Sequence, residues 1–135
     1  MADYSVTAEV KASPDAAFAY LRDLSHLPHW DSSVRNSTRS NAERYDVTVG
    51  FYGKALDAIY EVVETDEPRR IVWNVTGKVN GRTEITIAST GTGCSITVTT
   101  TVKLGGIARL LDRGLGVALE GIGENVEKGL IKALA

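Results

Sequence analysis

The sequence predicts an α+β fold in which a seven-stranded, curved antiparallel sheet wraps a long C-terminal helix. Three observations predict it: a capped helix early in the chain, strand-like alternation through the middle, and one long apolar helical stripe at the end. Tyr4, Val6, Ala8 and Val10 alternate with Ser5, Thr7, Glu9 and Lys11, the period of a half-buried strand. Ser13-Pro14-Asp15 supplies an N-cap, a first helical residue and a first-turn acid. The helix that follows buries Ala17, Phe18, Leu21 and Leu24, and Pro28 stops it. His26 to Ser32 is long enough for a turn or a short second helix.

From Val34 to Leu104 the chain is rich in Val, Ile and Thr, with turn residues every ten or so positions. A two-residue loop at Gly53-Lys54 would pair Phe51 with Leu56, Val49 with Ala58, Val47 with Tyr60 and Tyr45 with Val62, placing all eight on one face. A three-residue loop Val79-Asn80-Gly81, with Gly81 left-handed, would pair Trp73 with Ile87 and Val75 with Ile85. It buries more apolar area than the two-residue Asn80-Gly81 alternative. The last hairpin turns at Thr90-Gly91-Thr92-Gly93. Its final strand sends Cys94, Ile96, Val98, Thr100, Val102 and Leu104 inward and Ser95, Thr97, Thr99 and Thr101 outward.

Ile107 to Leu134 is helical in period, with Leu111, Leu115, Ala118, Ile122, Val126 and Leu130 along one side. It carries Gly114, Gly116, Gly121, Gly123 and Gly129, each costing about 0.5–1 kcal/mol relative to alanine inside a helix. Close packing of helix on sheet would compensate; so would space left open for a ligand.

Length and composition narrow the function. A chain of 135 residues fits one domain, 1–135, and can bury one core. A net charge of −2 gives no basic field, so no nucleic acid is expected. One cysteine, Cys94, excludes an intrachain disulfide and, with no ligand cluster around it, argues against zinc. No signal sequence is apparent and no apolar run reaches the ~20 residues of a membrane span. The expected setting is therefore cytoplasmic, and the sequons at Asn36 and Asn74 are chance. Gly91-Thr92-Gly93 lies between strands and opens no helix, which excludes a dinucleotide fingerprint; no cofactor is expected. Gly105-Gly106 reads as a bend between strand and helix.

The stretches SPDAAFAYLRDLSHLPHW and YEVVETDEPRRIVW, together with the long closing helix, resemble the polyketide cyclase/dehydrase and lipid-transport family of the START-like (SRPBCC) superfamily. The resemblance runs from about Tyr4 to Leu134 and implies a helix-grip fold with an internal cavity. It implies a ligand carrier, an aromatic-polyketide cyclase or an interaction module such as a toxin–antitoxin component, without choosing among them.

Side-chain chemistry favours binding. His26 and His29 lack a carboxylate or cysteine at metal-ligand spacing, so no metal is expected, and they read as groups near the cavity mouth, with His29 a possible base. Asp46, Asp57, Glu61 and Glu84 fall on the outer face, with Asp46 opposite Glu61. Ser25, Ser32 and Ser33 lack a nucleophile-elbow context. A four-residue turn at Ser40-Asn41-Ala42-Glu43 would point Val34, Asn36 and Thr38 inward; a three-residue turn would substitute Arg35, Ser37 and Arg39. The expected ligand-binding residues are Trp30, Asn36, Tyr45, Phe51, Tyr60, Trp73, Ile87 and Gly121. The partner is then a hydrophobic lipid, quinone or aromatic molecule desolvated by apolar walls and oriented by Asn36, Tyr45 and Tyr60. Catalytic residues and oligomeric state stay open.

Overall fold

Alternating apolar and polar residues hide one face only if successive strands pair and the resulting sheet finds a cover. The computed structural model describes residues 2–51, 54–78, 80–103 and 108–135, with backbone alone for 2, 51 and 108–120. Strand β1 (Ala2–Val10) is followed by helix α1 (Pro14–Arg22), a 3-10 turn (Leu24–His26) and helix α2 (Leu27–Trp30). Six strands follow, β2 (Val34–Arg39), β3 (Arg44–Phe51), β4 (Lys54–Asp66), β5 (Arg70–Gly77), β6 (Asn80–Ser89) and β7 (Cys94–Lys103), and then helix α3 (Ala108–Ala133). The sheet order is β1-β7-β6-β5-β4-β3-β2, with antiparallel neighbours throughout, so only β1 leaves sequential order. The curled sheet and its long C-terminal helix are the α+β, helix-grip-like arrangement expected from the sequence. Among the described residues, no helix is long and apolar enough to cross a membrane.

Helix α1 starts where its cap requires. Ser13 Oγ accepts from the Ala16 N–H at 3.2 Å, an interaction worth about 1 kcal/mol. It ends earlier than Pro28. Asp23 turns extended (ψ 101°) and becomes the cap of the 3-10 turn. Its Oδ1 accepts from Ser25 N–H at 3.1 Å and Ser25 Oγ–H at 2.7 Å. Pro28 instead sits in the first turn of α2, where a missing N–H costs nothing.

The sheet keeps the expected faces but shifts two registers. In the β3–β4 hairpin, Phe51 pairs with Lys54, Val49 with Leu56, Val47 with Ala58 and Tyr45 with Tyr60. Every partner is therefore two residues earlier than expected. In the β5–β6 hairpin, Val75 pairs with Gly81, Trp73 with Thr83 and Ile71 with Ile85. The positive φ falls on Gly77 (119°), while Asn80-Gly81 belongs to β6. Both errors are even-numbered slips, which leave each side chain on its own face. The final hairpin turns where expected, with Thr90 N–H donating to the Gly93 carbonyl at 3.0 Å.

In α3, Val126 and Leu130 are buried and Ile122 half-buried, and Leu134 just past its end is buried as well. The expectations for Leu111, Leu115, Ala118, Gly114 and Gly116 fall on side chains outside the described residues, as do Leu104, Gly105, Gly106 and Ile107. Two glycines have a packing reason. A Cβ at Gly129 would strike the Trp30 backbone carbonyl, and one at Gly123 would lie 3.1 Å from Val6 Cγ1 and 3.3 Å from the Tyr4 ring. Thus α3 presses on α2 through Gly129 and on β1 through Gly123. Its end is tied by Ala12 N–H donating to the Leu134 carbonyl at 3.2 Å.

Candidate functional site

The short link from α2 to β2 places the first half of the site. Gly129 allows α3 to seat against Trp30, fixing the end of α2. The Asp31 N–H then donates to the Leu27 carbonyl at 2.8 Å, closing the helix. Asp31 Oδ1 accepts from the Ser33 N–H at 3.0 Å and from Ser33 Oγ–H at 2.6 Å, an Asx turn that aims the chain into β2. Val34 N–H returns to the Asp31 carbonyl at 3.0 Å. Trp30 and Asp31 are both buried, at 2% and 9% exposure.

The sheet supplies the other half. Tyr60 on β4 and Trp73 on β5 stack with centroids 6.3 Å apart and planes 22° from parallel. Tyr4 on β1 lies opposite Thr100 on β7, and Thr100 Oγ1 hydrogen-bonds Thr83 Oγ1 across β6–β7 at 3.0 Å. These residues, with Ser33, Val49, Val75, Val98, Val102 and Ile122, line a cavity offering about 60 Å³ to the centres of water molecules. At roughly 10–15 Å³ per water, that is room for about four to six waters, or on the order of 120–180 Å³ of liquid.

Three ionisable groups share this apolar space. Burial raises the Asp31 carboxyl above the usual carboxylate range, with the Ser33 hydrogen bonds opposing. Burial likewise raises the Tyr60 hydroxyl, and the Asp31 and Tyr4 charges add to it. Tyr4 is raised by burial and by Asp31, against a contribution from Thr100. Both tyrosines therefore stay neutral and act through hydrogen bonds. Among the described residues, the buried indole Nε1 atoms of Trp30 and Trp73 have no hydrogen-bond partner. An unmet buried donor costs about 1–3 kcal/mol.

Of the residues expected to bind a ligand, Trp30, Tyr60 and Trp73 line this cavity, and Asn36, Tyr45, Ile87 and Gly121 do not. Tyr45 is buried at 2% exposure, but its hydroxyl is near the Leu24 backbone and the Arg39 guanidinium lies over its ring, 5.9 Å from the centroid. It braces the 3-10 turn. Ile87 is in the dry core at 5% exposure. Asn36 is exposed on the outer face, because the register shifts between Val34 and Asn36. The bulge leaves Val34 and Ser37 buried and sends Asn36 and Thr38 outward with Asp46 and Asp57. Gly121 is exposed, and a Cβ there would meet nothing within 4 Å. The Phe51 side chain lies outside the described residues.

Other candidates sit away from the cavity. His26 stacks on Tyr20 with centroids 4.3 Å apart and its Nδ1 lies 2.8 Å from the Tyr20 carbonyl. Together with exposed His29 and Lys132 it borders a separate surface depression, not the cavity lining. Asp46 pairs with Ile59, and Glu61 lies opposite Arg44 with an ion pair of 3.2 Å. Glu84 binds Arg70 at 2.8 Å. Among the described residues, no group of three or more His, Cys, Asp or Glu could hold a metal. Cys94 is fully buried, and burial pushes its thiol up. Sequence reasoning missed Asp31 and gave no site role to Tyr4, Ser33, Thr83 or Thr100. The available signal for Asp31 was the Asp-x-Ser spacing to Ser33 directly after a short helix.

The polyketide cyclase / dehydrase and lipid transport family model matches residues 1–134. No curated protein matches the sequence. A conserved protein from Geobacillus kaustophilus superposes with a TM-score of 0.78 at 20% identity, covering 98% of this chain and 93% of that one. A START superfamily protein from Mycobacterium smegmatis gives 0.72 at 20% identity, covering 98% and 99%. The di-domain ARO/CYC StfQ of the steffimycin biosynthetic pathway gives 0.69 at 15% identity, covering 98% of this chain and 50% of that one. At these identities the likeness is one of fold.

Proposed function

Given that the chain belongs to the polyketide cyclase/dehydrase and lipid transport family, we propose that it binds a small, largely apolar ring compound in the cavity among β1, β3–β7, α2 and α3. The observation that carries this reading is the cavity itself, walled by Tyr4, Trp30, Tyr60 and Trp73. Aliphatic and aromatic walls desolvate the ligand, contributing about 25 cal/mol per Å² of apolar area removed from water. The polar tips fix its orientation. The room among the described residues suits the bulk of a single ring and not an extended acyl chain, so a small ring compound is favoured over a long lipid.

Tryptophan fluorescence tests this directly, because the only two tryptophans, Trp30 and Trp73, both line the cavity. Titration with ring compounds of one or two rings should give saturable quenching or a spectral shift, and native mass spectrometry of fresh protein should show a co-purifying small molecule. A flat titration across such a panel, with a clean apo mass, would overturn the reading. A cyclase activity is the second reading, favoured by Asp31, a buried carboxyl whose pKa burial raises, in an apolar site where it could exchange a proton with a bound carbonyl compound. Turnover of a model poly-β-ketone that disappears in Asp31→Asn, with ligand still bound, would support it.

A further inference from the structure

We propose that the occupant is a single-ring acid, its carboxylate held at the Asp31 end of the cavity by the Asp31 carboxyl, which donates through Oδ2, and by the hydroxyl of Tyr60. The proposal rests on the ligand-binding reading and adds to it the polar group that the ring carries. What decides it is which polar atoms an occupant can reach. The indole nitrogens of Trp30 and Trp73 are sealed within the wall, so a ligand does not meet them. Asp31 Oδ2 and Tyr60 Oη differ. Among the described residues neither has a hydrogen-bond partner, neither is sealed, and both side chains line the cavity at 9% exposure.

Both reachable atoms donate. Ser33 N–H and Oγ–H already occupy Asp31 Oδ1, which leaves Oδ2 to carry the proton of the carboxyl. Burial favours that protonated form and keeps Tyr60 neutral. Two O–H donors suit the two oxygens of a carboxylate, and an O–H···O⁻ bond is roughly twice as strong as one to a neutral oxygen. The two carboxyl groups then share one proton, because like charges in contact cannot both ionise. Their single negative charge is spread over four oxygens and faced by the donors of Ser33 and Tyr60, which offsets part of the cost of burying it. The other titratable groups in the lining are Tyr4 on β1 and Tyr60 on β4. On α2 and the elements packed against it, the described charged side chains His26, His29, Arg35, Arg39, Glu124, Glu127, Lys128 and Lys132 lie outside the lining. Among the described residues, capture of the carboxylate thus depends on the proton of Asp31 and not on a cation. It is complete below the titration of that carboxyl and lost as pH rises through it.

The test titrates benzoate, acetophenone and isopropylbenzene, which are similar in shape, against the native protein, Asp31→Asn and Tyr60→Phe by NMR. The range runs from about pH 5 to about pH 9, where benzoate itself stays ionised. At the acid end benzoate should bind the native protein about threefold or more tightly than acetophenone. Its affinity should fall about tenfold or more towards the alkaline end, while that of isopropylbenzene stays constant. Asparagine keeps an Oδ1 for Ser33 and offers an N–H in place of the carboxyl proton. Benzoate binding should therefore persist in Asp31→Asn and lose its pH dependence. Tyr60→Phe should weaken benzoate about three- to tenfold and leave isopropylbenzene unchanged. Suppose isopropylbenzene binds, but benzoate is weaker than acetophenone at the acid end, keeps one affinity across the range, or falls equally in Asp31→Asn. The ligand-binding reading then stands and carboxylate capture by Asp31 is overturned. If none of the three binds the native protein, both fall together.

Discussion

The two ends of the concave face are built from the same strands and behave differently. Near the β6–β7 turn, Ile71, Ile85, Ile87, Cys94 and Ile96 are all at 5% exposure or less. Helix α1 begins at this end, since β1 reaches Val10 opposite Cys94 before turning into it, and it contributes Phe18 and Leu21 at 2% and 0%. None of these side chains borders the cavity. A few residues along the strands, the same inward positions carry Tyr4, Tyr60, Trp73, Thr83 and Thr100, and the packing opens. Aliphatic side chains can fill a space in every direction without a partner. Rings with a polar tip, and threonines bonded to each other, fill it only where their donors and acceptors are met. The dry end supplies stability, and the polar-tipped end leaves room.

Substitutions can break or sharpen this contrast. The largest effect is expected in the dry end: Ile85→Ala should cost about 2–5 kcal/mol in denaturant unfolding, because it opens a hole in a closed core. Overpacking the same end with Ala17→Leu, at a site of 0% exposure, should cost about 1–3 kcal/mol. Gly129→Ala should cost a similar amount, since the new Cβ pushes α3 away from the Trp30 carbonyl and so loosens the seat of Trp30 and Asp31. Val75→Leu, beside the cavity, should cost less than about 1.5 kcal/mol while abolishing the ligand-induced change in tryptophan fluorescence. Equal losses at Ala17 and Val75 would mean that the two ends are packed alike.

The smallest effect concerns pH. The folded state holds the Asp31 proton more tightly than the ordinary carboxylate value of about 3.9. Between that value and the higher folded one, the native state binds more protons than the unfolded state, so this group lowers stability as pH rises through that window. Asparagine does not titrate. Unfolding of Asp31→Asn should therefore become relatively more favourable to the folded form from about pH 4 towards neutrality, and a difference that stays constant with pH would show that Asp31 carries no such burden.

Much of the sheet was legible because strand period is robust. The inward set Trp73, Val75, Ile85, Ile87, Cys94, Ile96 and Val98 is read from alternation alone, and all are buried. Pairing was less legible, since a slip of two or four residues leaves the faces unchanged and therefore leaves no trace in the pattern. Asn36 shows the opposite case: one bulge residue reverses the face, and nothing in VRNSTR announces where it falls. Asp31 was passed over because a charged residue near a turn is ordinarily solvated. Only the approach of α3 and β2 to the end of α2, beside the cavity wall, shuts it away from water.

By itself the sequence determined the order of elements, the cap at Ser13 with Pro14 opening the helix, the inward face of each regular strand and, from Ile122 onward, the apolar stripe of the closing helix. These follow from local periodicity and backbone chemistry, which neighbouring residues specify without reference to distant ones. The tertiary structure alone decided which inward residues meet across the interior, that Gly129 and Gly123, and not Gly121, are the close contacts of α3, and that a carboxyl and two indoles share one cavity. Those outcomes depend on distances between elements far apart in the chain, and on how far burial strips a polar group of water.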